Sequence, residues 1–121
     1  MLKIGMLVAL VASLTTSGPA VRHLTLVDSS PKKDAVLTTA TTEIVLTFNE
    51  GLDPARRAIS LRGPSGAVTM GPVRSVPDTL AFAASITGPM PAGVYTVSWL
   101  AGAPAHASIR GRYTFTVKPA P

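Results

Sequence analysis

Residues 93–100 read Gly93-Val94-Tyr95-Thr96-Val97-Ser98-Trp99-Leu100, and their alternation decides the fold class. Tyr95, Val97 and Trp99 fall on one side of an extended chain, and Val94, Thr96 and Ser98 fall on the other. Successive side chains of a strand point to opposite faces, so this pattern predicts a half-buried antiparallel strand. The same period returns downstream in Arg110–Lys118, with Tyr113, Phe115 and Val117 inward and Arg112, Thr114 and Thr116 outward. Upstream it returns in Thr42–Glu50, where Ile44, Leu46 and Phe48 share a face opposite Glu43, Val45, Thr47 and Asn49.

Shorter strands are predicted over 24–28, 35–38, 58–62, 67–70 and 79–84. Turn formers separate them: Ser30-Pro31, Asp53-Pro54, Gly63-Pro64-Ser65-Gly66, Gly71-Pro72, Pro77-Asp78 and the run from Gly88 to Gly93. Eleven Pro and ten Gly leave no stretch for a helix between them. The expected fold is all-β: a Greek-key β-sandwich, immunoglobulin-like or cupredoxin-like, of seven or eight strands. Asp53-Pro54 and Arg56-Arg57 read as an exposed connection.

The first twenty residues read differently. Lys3 is followed by an apolar, uncharged run from Ile4 to Leu14 and a small polar segment from Thr15 to Ala20. That run is shorter than the roughly 20 apolar residues a membrane span needs, and it has the layout of a signal peptide. Residues 1–20 are therefore expected to be an export leader with a signal-peptide helix, and 21–121 a single β-sandwich domain, periplasmic or otherwise exported. With no Cys in 121 residues, no disulfide braces the domain and no thiolate serves as nucleophile or ligand.

Eleven Lys and Arg outnumber six Asp and Glu, but the basic residues are scattered and only six aromatics exist to stack on bases. Nucleic acid is not an expected partner. No Gly-x-Ser-x-Gly elbow is present, and two His with few carboxylates give no basis for a hydrolytic triad, so no enzyme is expected.

Four segments together resemble the CopC family of periplasmic copper-resistance proteins. They are Leu26-Val27-Asp28-Ser29-Ser30-Pro31, Ile44-Val45-Leu46-Thr47-Phe48-Asn49-Glu50-Gly51-Leu52, Met90-Pro91-Ala92-Gly93-Val94-Tyr95-Thr96-Val97-Ser98-Trp99, and Gly111-Arg112-Tyr113-Thr114-Phe115-Thr116-Val117. The second alone also resembles bacterial immunoglobulin-like surface modules; the third and fourth together are specific to the copper family. The resemblance runs from about residue 23 to 118. It implies an exported, monomeric Cu(II) carrier or buffer, working beside a membrane copper-transport protein of the CopD type.

In that family a mature N-terminal His, a loop carboxylate and a loop His hold copper, and Cu(II) favours such imidazole and amine nitrogens. His23 stands at the first position. Counted without gaps from Trp99, the family's loop Asp falls on Ala105 and its loop His on Ala107, with His106 between them. A one-residue slip brings His106 into the ligand place, although on a regular strand it would turn the side chain to the other face. Glu50 matches the family's Glu after the Phe strand, as a weak ligand or as a partner orienting His23. The expected metal residues are thus His23, His106 and Glu50. A leader cut after Ala20 would start the chain Val21-Arg22-His23, which resembles the amino-terminal copper and nickel motif. Met70 and Met90 are isolated, so no Cu(I) cluster is expected. The rival reading is a protein-interaction module of the same fold that has lost its loop ligands.

Overall fold

A computed structural model describes residues 23–119. They form nine strands: β1 (Leu26–Ser30), β2 (Val36–Leu37), β3 (Glu43–Phe48), β4 (Arg57–Gly63), β5 (Gly66–Val68), β6 (Arg74–Ser75), β7 (Ala81–Ser85), β8 (Gly93–Ala103) and β9 (His106–Val117). Among the described residues there is no helix, and none long and apolar enough to cross a membrane. The expected leader lies outside the described residues.

Two sheets make the sandwich. One has four strands in the order β1-β3-β7-β6, and the other has five in the order β2-β9-β8-β4-β5. The pairings are antiparallel except for β2 against β9. The residues that the alternation turned inward are the core: Ile44, Leu46 and Phe48 from one sheet, and Tyr95, Val97, Tyr113, Phe115 and Val117 from the other. Each such fully buried large side chain contributes roughly 1.5–3 kcal/mol. Phe48 joins the layers, stacking on Phe82 within its own sheet (centroids 5.7 Å) and meeting Trp99 of the other edge-on at 5.2 Å.

The nine strands exceed the seven or eight expected, and two stretches of the strand plan differ from the sequence expectation. β6 is a two-residue strand between Gly71-Pro72 and Pro77, too short to show a period. More consequentially, the stretch expected as a loop after Leu100 is a continuation of the β8–β9 hairpin, closed at Pro104-Ala105. Its inward residues there are Ala101 and Ala103, which are buried but too small to stand out as a hydrophobic period.

Candidate metal centre

The hairpin tip and the connection from β3 to β4 meet at one rim of the sandwich. Phe48 is the last core residue of β3, and the chain then crosses between sheets through Asn49, Glu50 and Asp53. The crossing is tied to the hairpin by main-chain bonds: Asp53 N–H donates to Gly102 O and Gly102 N–H to Arg56 O, both at 2.8 Å. Asp53 also accepts from the Ala55 N–H at 2.9 Å through its carboxylate.

Arg56 fastens the tip. Its Nη2 donates to Ala103 O at 2.5 Å and its Nη1 to His106 O at 2.8 Å, on either side of the Pro104-Ala105 turn. Nε donates to Asp53 Oδ2 at 3.1 Å. A planar guanidinium with donors on three nitrogens spreads its bonds over both arms of a hairpin and a carboxylate, a span that the single nitrogen of a lysine does not match. Gly102 makes room for it, because a Cβ there would lie 2.7 Å from Nη1. The N–H of Ala55, then the Arg56 side chain, hold the Asp53 carboxyl below the usual carboxylate range.

The register of the hairpin decides where His106 points. Ala101 pairs with Ile109, but Ala103 pairs with His106, so one extra residue lies on the β9 arm at Ala107-Ser108. A bulge of this kind resets the alternation beyond it. Without it His106 would share the outward face with Ser108 and Arg110. With it, His106 stands opposite the buried Ala103 and turns toward Glu50. His106 Nε2 lies 2.5 Å from Glu50 Oε2, both side chains being partly buried. Glu50 Oε2 is shut off from solvent and takes no aligned hydrogen bond, close as the imidazole stands. An imidazole nitrogen and a carboxylate oxygen held side by side are a donor pair suited to Cu(II), which would take the place of their mutual contact.

His23 approaches the same rim by its main chain. Its carbonyl accepts from Asn49 Nδ2 at 2.9 Å and from Thr25 Oγ1 at 3.0 Å, while Asn49 Oδ1 accepts from Thr25 N–H. The side chain is exposed, and Leu24 beside it is buried. The structure thus brings Glu50 and His106 into contact and fastens His23 next to Asn49, the residue before Glu50. Among the described residues no three His, Asp or Glu side chains are gathered closely enough to hold a metal ion. The partner of Glu50 is His106 rather than His23.

Sequence reasoning missed Asn49 and Arg56. The Arg56 side chain is only one-third exposed, not part of a solvated connection. The one local sign of it was the Asp53/Arg56 spacing after a strand end, which many surface turns share.

The family model described as the CopC domain matches residues 26–118. Among solved structures, the chain is similar to PcoC, a methionine-rich copper resistance protein from Escherichia coli, at 31% identity and TM-score 0.71, covering 80% of this chain and all of that one. It is also similar to CopC from Methylosinus trichosporium OB3b, at 26% identity and TM-score 0.71, covering 80% of this chain and 95% of that one. No protein of curated function matches it.

Proposed function

The chain belongs to the CopC family, and on that premise we propose that this copper-resistance protein binds Cu(II) at the Glu50–His106 rim and carries or buffers it outside the cytoplasm. The observation that supports this most is the bulge at Ala107-Ser108, which turns His106 into contact with the solvent-shielded Glu50 carboxylate oxygen. Two protein donors are too few for a tight tetragonal site. The remaining nitrogens come from the start of the exported chain, its free amine and the His23 imidazole, which with Glu50 and His106 make four donors. Arg56 holds the hairpin in position and binds no metal. The protein acts on no substrate chemically; copper is its cargo, delivered as a monomer to a CopD-type membrane partner.

The test is a Cu(II) titration of the exported, mature protein against a mild chelator, followed by visible absorption and paramagnetic resonance. One equivalent should be retained. His106→Ala and Glu50→Gln should each weaken retention and change the resonance, and His23→Ala should abolish it. Retention that none of the three substitutions alters would overturn the site.

A second reading has its own support. Ala105 and Ala107 occupy the family's loop-ligand positions, and no third donor is gathered at the rim. On that reading the sandwich is an interaction module, and the mature protein retains no copper at all.

A further inference from the structure

The strands of the five-stranded sheet contain four arginines, Arg57, Arg62, Arg110 and Arg112, and no Asp or Glu. Asp28 and Glu43 lie in the other sheet, Glu50 and Asp53 at the metal rim, and Asp78 in the turn between β6 and β7. Asp34, two residues before β2, lies at the edge of the five-stranded sheet, where its N–H donates to Thr114 O of β9. The excess positive charge of the domain is therefore gathered on one sheet.

The register shows how it is displayed. Ala58, Leu100 and Arg110 form one cross-strand row, Ser60, Ser98 and Arg112 the next, and Arg62, Thr96 and Thr114 a third. Their neighbours along each strand are the inward residues, so all three rows face away from the core. Arg62, Arg110 and Arg112 are exposed, and among the described residues none of them takes part in an ion pair. The small outward residues Ala58, Ser60 and Ser98 leave a trough of about 440 Å³ across β4, β8 and β9, with Leu100, Arg110 and Arg112 along it. Trp99 lies beneath it, its ring on the inward face against Phe48 and Gly111.

We propose that this trough is a docking site for an extended acidic segment of a protein partner. Arg110 and Arg112 are two residues apart on one strand, roughly 7 Å, which is the spacing of alternate side chains in another extended chain. Guanidinium groups pair with carboxylates bidentately, and the Ser60 and Ser98 hydroxyls offer further donors along the floor. A bilayer presents its phosphates in no fixed register, whereas an extended polypeptide presents alternate carboxylates at the spacing of Arg110 and Arg112. A polypeptide enters the trough. The site is separate from the copper rim and independent of metal binding.

The experiment uses the exported protein and a synthetic peptide alternating Asp and Ser, with an Asn-for-Asp peptide as control. Binding is read from the fluorescence of Trp99, the one tryptophan of the chain, and from amide chemical-shift changes. The Asp peptide should bind saturably, shift the amides of β4, β8 and β9 around the trough, and weaken steeply with salt. The double variant Arg110→Glu, Arg112→Glu should lose about tenfold or more in affinity, as close charge pairs do when one side is reversed. Lys33→Glu, outside the trough, should change it little. Equal weakening by Lys33→Glu would show attraction to net charge alone and overturn the proposal. So would failure of the Asp peptide to saturate, or binding to phosphatidylglycerol vesicles in preference to the peptide. Should the double variant fold poorly, the shift map of the unmodified protein decides: changes scattered away from the trough refute the site.

Discussion

At the rim that carries Glu50 and His106, a guanidinium and a set of main-chain bonds hold the crossing between the sheets, while at the other end of β8, about 25 Å away, the closure is made by aromatic rings lying over glycines. There the fully buried Tyr95 stacks on Phe115 at 5.4 Å, and its ring lies so close to Gly63 that a Cβ would meet it at 2.4 Å. Gly93, at φ +148°, abuts Pro64 in the same way. The Tyr95 hydroxyl donates to Pro91 O. Burial pushes the Tyr95 pKa up, which keeps the hydroxyl a donor. A ring filling the space of a missing side chain cannot be adjusted without losing packing. A charged side chain bonded to three carbonyl or carboxylate groups fixes the backbone yet holds a carboxylate and an imidazole side by side, in a contact that a cation can replace. The first arrangement seals the fold, and the second can present ligands.

The largest effect is expected at the sealed end. Gly63→Ala should destabilise the domain by about 3 kcal/mol, because neither the buried ring nor the strand can retreat. Urea unfolding measures this, and a loss below about 1 kcal/mol would mean that the ring has room to move. At the rim, Arg56→Ala should cost about 2 kcal/mol, since it leaves the Ala103 and His106 carbonyls without their charged donor. Amide exchange in the hairpin should rise while that at Tyr95 does not. Arg56→Lys should recover only part of the loss, for want of a second donor nitrogen. If lysine restores everything, a point charge and not the fork holds the tip.

The smallest effect is a matter of pH. The Asp53 carboxyl is held below its ordinary value in the folded protein, so its contribution is present above the unfolded pKa, about 3.9, and is lost as pH falls through the folded one. Asp53→Asn should lower the melting temperature modestly at pH 6, and the two proteins should converge in acid. A constant gap from pH 6 down to pH 2.5 would show that the carboxylate's charge is not what matters.

Much of this architecture could be read from single segments. The inward faces of Thr42–Glu50, Gly93–Leu100 and Arg110–Lys118 were legible because large apolar residues alternate with small polar ones, and a strand's period is a local property. The hairpin tip was not, because Ala101 and Ala103 carry too little hydrophobic surface to mark a face. Glu50, His23 and His106 could be singled out by chemistry and family resemblance, but not matched with one another.

Local residue choice settled the class of fold, the core and the short list of metal-binding candidates. The contacts between strands settled the rest: which face His106 takes, that Glu50 meets it, that Arg56 is a clamp, and that two arginines of β9 border a trough floored by β4 and β8. The reason is geometric. The face on which a side chain emerges follows from its own strand only until a bulge intervenes, and a bulge is defined by the strand opposite, which lies elsewhere in the chain.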